Sequence, residues 1–301
     1  MAAGARTAIL GWVQRLGRGC VTGLSGTFRC VSAHVPGTGA FLEKGLVLSS
    51  LSLLAIGSYR HAVVYASSKV EDVKEQADYV YGSGETEKLY EFLSQYKDSN
   101  DAEILWRLSR ASRDLAQLSK TTSDDKKRLV YEARDFAKKA LEMNESCWAA
   151  HKWYAICLSD VGDYEGMKVK IGNAYIIRDH FQRAIELNPK DATTIHLIGV
   201  WCYTFADLPW YQKKIASALF ATPPSSTFDE GLKHFEMAEE VDPNFYSKNL
   251  LYLGKSFLKL KNNESALLWL HKAKDYPVRT EEEKEVYKEA TELLKSLGVK
   301  V

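Results

Sequence analysis

The sequence predicts an all-α fold, a stack of antiparallel helix pairs forming an α-solenoid. Three observations carry this. First, a helix-closing phrase returns four times: Ala140 to Asn144, Ala184 to Pro189, Ala238 to Pro243 and Ala273 to Pro277. Each pairs a small residue with a short polar–apolar tail, and three end on a proline, which cannot continue a helix. Second, apolar residues recur at three- and four-residue spacing from about residue 67 onward, with no strict period-two alternation. Third, short turn signals separate these segments, as in stacked helix pairs.

The first 42 residues stand apart. They hold Arg6, Arg15, Arg18 and Arg29 and no Asp or Glu. Removing those arginines from the 40 basic and 39 acidic residues leaves the remainder at −3. Ile9, Trp12, Val13 and Leu16 share one helical face, with Arg15 and Arg18 turned away. An amphipathic, Arg-rich, acid-free segment is expected to be a mitochondrial transit peptide. The alternative is a disordered basic tail. Residues 43–66 contain the apolar run Gly45 to Gly57 between Lys44 and Arg60. It is shorter than the roughly 18–20 residues of a bilayer span, so an interfacial helix or the end of the targeting segment is expected, not a stable transmembrane span.

Residues 67–301 are expected to be one helical domain. Val70, Val73, Ala77 and Val80 make a first helix that stops at Gly82-Ser83-Gly84. Leu89, Phe92, Leu93 and Tyr96 form one face of the next, over 85–96. Ile104, Leu105, Leu108, Ala111, Leu115 and Leu118 define a third over 101–118. The turn Thr121 to Asp125 caps a helix running to Met143. Trp148 to Val161 follows, and Gly162-Asp163-Tyr164 reads as the tight turn to its partner. At the C-terminus, Thr280 and Glu283 make a capping box, Val286, Ala290, Leu293, Leu294 and Leu297 an apolar stripe, and Gly298 the stop. That helix covers the solenoid's last apolar face.

The last pair shows a tetratricopeptide pattern: Leu250, Leu253-Gly254, Phe257, Ala266, Leu270 and Ala273. Small residues are needed where two helices approach closely, and large ones fill the gap to the next pair. Tyr154-Ala155, Leu158, Phe181, Ala184 and Pro189 fit if about ten residues near Met167 to Tyr175 are extra. Ile198-Gly199, Gly231, Phe235, Ala238 and Pro243 fit if about twenty, Asp207 to Thr227, are inserted. A plain array repeats every 34 residues or so. Inserted or lengthened segments map to one rim and are candidate functional decorations.

Three stretches are more specific: Ala77-Asp78-Tyr79 through Glu87-Lys88-Leu89-Tyr90, His151 through Tyr164, and Ala221 through Thr227. On these the chain resembles the regulator of microtubule dynamics family over roughly residues 69 to 297. The resemblance implies a non-enzymatic helical-repeat protein associated with microtubules, spindle and spindle poles, with mitochondrial association also known. It carries no catalytic residues over. In a larger relative the helical domain is associated with phospholipid, so a mitochondria-associated lipid-binding or lipid-transfer module is the alternative.

Nothing in the sequence points to catalysis, a metal or a cofactor. The cysteines at 20, 30, 147, 157 and 202 form no CxxC pair, and the seven histidines form no metal motif. No phosphate-loop or nucleophile-elbow motif occurs. No nucleic-acid partner is expected. Two constellations are candidate binding sites. Basic clusters occur at 126–128, 138–139, 168–170 and 213–214; of these, Lys126, Lys127 and Arg128, with Lys168, Lys170, Lys213 and Lys214, form a candidate basic rim for acidic tubulin or a partner peptide; the alternative is an ordinary solvated helix face. Trp201, Tyr203, Phe205, Trp210 and Tyr211 form a candidate groove for a peptide or acyl chain; the alternative is core filling.

Overall fold

The computed structural model describes residues 71–220 and 222–300. The expected targeting segment at 1–42 and apolar segment at 43–66 lie outside the described residues. Every regular element among the described residues is a helix. α1 is described over 71–82. It is followed by α2 (Thr86–Ser94), α3 (Ala102–Ala116), α4 (Ser123–Met143), α5 (Trp148–Glu165) and α6 (Met167–Leu187). Then come α7 (Ala192–Ala206), α8 (Trp210–Leu219), α9 (Phe228–Val241), α10 (Ser247–Lys259), α11 (Asn263–Lys274) and α12 (Glu281–Ser296).

The helices pack in pairs: α3 on α4, α5 on α6, α7 on α9, and α10 on α11. First helices stack on first helices, α3 on α5 and α7 on α10, while α12 closes the array against α11 and α10. This is the expected solenoid. Helix α7 is its apolar centre: 12 of its 15 residues are buried, so it is covered on every side. Close approach within pairs depends on glycine. A Cβ at Gly199 of α7 would lie 2.6 Å from the Phe235 ring of α9, and one at Gly254 of α10 would lie 2.7 Å from Leu270 of α11.

Local signals set the ends. Thr122 caps α4 by accepting from the Asp125 amide at 3.2 Å. Thr280 and Glu283 form the expected capping box of α12, and Gly298 follows it at φ +82°. One expectation is corrected. The turn expected at Gly162-Asp163-Tyr164 is helical, and α5 runs on to Glu165. The break falls at Gly166, whose φ of +88° favours glycine. Gly162 instead admits the next helix: a Cβ there would meet the Lys170 backbone at 3.4 Å. The extra residues after Gly166 do not loop out but lengthen α6 to 21 residues. The larger insertion, 207–227, contains α8 and two non-helical arms.

Candidate functional site

Antiparallel pairing places the turns within pairs on one edge of the stack and the turns between pairs on the other. The first edge therefore carries the start of α4, the α5–α6 joint and the insertion between α7 and α9. The basic clusters expected at 126–128, 168–170 and 213–214 lie on it, whereas the basic pair Lys138-Lys139, near the end of α4, lies toward the other edge.

At the start of α4, Lys126 is partly buried and Lys127 exposed. Arg128 is committed to its own helix, donating to Asp125 and Glu132 at 3.1 Å each. At the next joint Lys168 is exposed, whereas Lys170 forms an ion pair with Asp163. On α8, Lys213 donates to the Ala206 carbonyl at 3.2 Å and Lys214 is exposed. Lys126, Lys127, Lys168 and Lys214 form no ion pair with any described residue. Lys213 likewise meets no described carboxylate.

Contacts between neighbouring elements order the clusters. Tyr131 of α4 donates to Glu165 at 3.3 Å, and its ring lies 6.3 Å from that of Tyr164. Tyr175 of α6 donates to the Pro223 carbonyl of the insertion at 3.2 Å. A Cβ at Gly172 would lie 3.6 Å from the Phe220 ring, so the insertion lies along the first half of α6. On α8, Gln212 and Ala216 are buried. Its outer face shows Trp210 at 76% exposure and Tyr211 at 40%.

The five aromatics named from sequence do not line one groove. Trp201, Tyr203 and Phe205 are buried on α7. Trp201 donates from Nε1 to the Ala174 carbonyl at 3.0 Å and packs on Phe205 at 4.5 Å. Tyr203 packs edge-on against Phe228 and Tyr252 at 5.2 Å each, and burial pushes its hydroxyl pKa up. These three fill the core, whereas Trp210 and Tyr211 meet at 6.3 Å on the surface.

Sequence reasoning missed an arginine stripe on α3. Arg107 bridges Asp78 and Glu103. Arg110 lies 3.5 Å above the Tyr81 ring, and Arg113 meets Asp160 of α5. The three-residue spacing of these arginines was readable, as was Glu103 one turn before Arg107; the partners on other helices, Asp78, Tyr81 and Asp160, were not. His151, His180 and His196 contact protein groups. His151 Nε2 donates to the Glu145 carbonyl at 2.8 Å, leaving its Nδ1 to accept from His180 Nδ1 at 2.8 Å. Burial and the His151 neighbour push His180 down to about 4. Burial pushes the Cys157 thiol up to about 12 and Cys147 up to about 11, so both are protonated at neutral pH. Among the described residues no group of three or more His, Cys, Asp or Glu could hold a metal, and no helix is long and apolar enough to cross a membrane.

Fold and rim together define a tetratricopeptide-like α-solenoid, a class that binds along its surfaces. A thermophilic TPR protein of Thermus thermophilus has the same fold, with a TM-score of 0.52 at 14% identity over 73% of this chain and 98% of that one. The chain belongs to the family described as Regulator of microtubule dynamics protein 1-3, whose model matches residues 73–298. Regulator of microtubule dynamics protein 1 of Pongo abelii is 62% identical over 282 residues, 92% of this chain and 90% of that one. The Mus musculus protein 1 is 61% identical over 279 residues, covering 91% and 92%. Protein 3 of Rattus norvegicus is 33% identical over 77% of this chain and 50% of its own length.

Proposed function

We propose that this protein is a non-enzymatic, microtubule-associated regulator of microtubule dynamics that docks through its basic rim. The observation that supports this most is the shared edge: Lys126, Lys127, Lys168, Lys213 and Lys214 all lie on it, and none of the five forms an ion pair with a described residue. The names of its relatives point the same way. Tubulin's surface and tails are acidic, so attraction is electrostatic and falls as salt rises. Action at the spindle and spindle pole, with a mitochondrial pool directed by residues 1–42, belongs to the same reading. Co-sedimentation with microtubules across a salt series tests it. Pelleting at low salt that weakens with salt, and that is lost when the five lysines become glutamate, is expected. Absence of pelleting at low salt sinks it.

A second reading is favoured by one observation. Exposed Trp210 and Tyr211 sit beside Lys213 and Lys214 on α8, the aromatic-plus-cation pairing suited to a headgroup surface. A mitochondria-associated lipid-binding or lipid-transfer module would retain phospholipid through purification. Native mass spectrometry showing only bare protein would count against it.

A further inference from the structure

We propose that Thr222 is a phosphorylation site for a proline-directed Ser/Thr protein kinase, and that its phosphate reverses the charge of the rim insertion. This regulatory consequence rests on the rim docking proposed above; the site itself does not.

Seven prolines occur in the chain, and Thr222-Pro223 is the one Ser/Thr-Pro pair among them. Kinase clefts take their substrates as extended, exposed chain. A site shaped for proline at the following position suits a residue with no N–H to leave unsatisfied. Thr222 meets the need for exposure and for a following proline, and the link, which bends at Thr222, straightens as the kinase seats it. It lies in the connection from α8 to α9, 220–227, the longest non-helical link among the described residues. The link is extended at Phe220 (φ −132°, ψ 133°) and at Thr227 (φ −123°, ψ 161°), and proline disfavours helical backbone at the residue before it. Thr222 is exposed, and its hydroxyl engages no described residue. Ser226 and Thr227 in the same link are occupied by Glu230, the first as a donor and the second as the cap of α9.

In the reaction, Thr222 Oγ1 attacks the γ-phosphorus of MgATP. The bond to the β-phosphate oxygen breaks, ADP leaves, and the hydroxyl proton passes to the kinase's catalytic carboxylate. The insertion 207–227 carries Asp207, Lys213 and Lys214, a net charge of +1. A phosphate adds about −1.5 to −2, so the insertion turns negative where the rim needs to be positive. The new charge also falls beside the loop's attachment to α6. That attachment is the Tyr175 hydroxyl on the Pro223 carbonyl at 3.2 Å, with Pro224 buried behind it. The kinase must lift this contact to seat Pro223, so it sets how fast the site is modified.

The full chain is incubated with MgATP and a proline-directed kinase, and phosphate is mapped by peptide mass spectrometry. Phosphate on Thr222, absent from Thr222→Ala, is expected, and Tyr175→Phe should take it up about threefold faster by losing one hydrogen bond. If neither the native chain nor Tyr175→Phe is phosphorylated at Thr222, the site is overturned. Retention on immobilised polyglutamate reads the rim charge without tubulin. Phosphorylated protein should elute at lower salt, and unchanged elution overturns the regulatory consequence. On microtubules the same modification should weaken binding about tenfold. Unmodified protein that fails to pellet tells against the microtubule reading and leaves the mapped site and the polyglutamate result standing.

Discussion

Arg113 Nε donates to Asp160 Oδ2 across 2.6 Å, and neither side chain is more than 5% exposed. The pair joins α3 to α5 from inside the stack. Burial pushes Asp160 above its ordinary pKa, the mark of a carboxylate that relies on its partner to stay charged. Removing one member strands the other charge. Asp160→Ala is expected to cost about 3–5 kcal/mol in urea unfolding, whereas Arg113→Met with Asp160→Leu should recover much of that loss. A double variant as unstable as the single would show that the pair's charge is not the cause.

Gly199 has no room for a side chain. With Phe235 at 2.6 Å from its would-be Cβ, Gly199→Ala must push α7 and α9 apart. A cost of about 1–3 kcal/mol is expected from this overpacking. Adding Phe235→Leu should lessen the penalty if the clash is with the ring. A thermal melt of each variant decides between steric and purely backbone effects.

His196 makes stability depend on pH. Its Nδ1 donates to Asn249 Oδ1 at 2.9 Å, and burial holds its pKa down to about 4. Unfolded, it titrates near 6.5 or so, so the unfolded chain binds the proton first as pH falls. Stability from this group is complete above that value and is lost as pH drops toward about 4, by about 3 kcal/mol. His180 shifts in the same direction. His196→Gln, which retains an amide donor for Asn249, should flatten the fall. Urea midpoints at neutral and acid pH give the measurement.

The two surface aromatics and the core ones should differ sharply. Trp201→Ala removes a buried ring and the donor to the Ala174 carbonyl, and about 3–5 kcal/mol should be lost. Trp210→Ala, at 76% exposure, should change stability by no more than about 0.5 kcal/mol. Comparable losses in the two variants would contradict the placement of α8.

Local chemistry explains which features the sequence made legible. The Thr280–Glu283 box and Gly298 could be read because a cap is decided within a few residues. Gly162 misled because glycine serves two needs, a positive φ or a close neighbour, and the neighbour is Lys170 on the following helix. The aromatic run Trp201 to Tyr211 looked continuous, but the non-helical residues 207–209 divide it. What lies before them belongs to buried α7; what lies after belongs to α8. The lysines were visible as clusters, and the alternation of helix pairs brings them to one edge. Which of them are free was not legible, since Lys170 and Arg128 find acidic partners only once the helices form.

Stacked repeats lose structure from their ends, where a unit has a neighbour on one side only. Helix α7, sheathed by α6, α9 and α10, is the opposite of an end. Amide exchange should be slowest there, and the halves on either side can breathe independently of each other. The start of α4 lies in the first of these halves, and the insertion that carries α8 leaves from the end of α7 itself. A partner gripping both would couple motions that are otherwise separate, stiffening the rod without changing its shape.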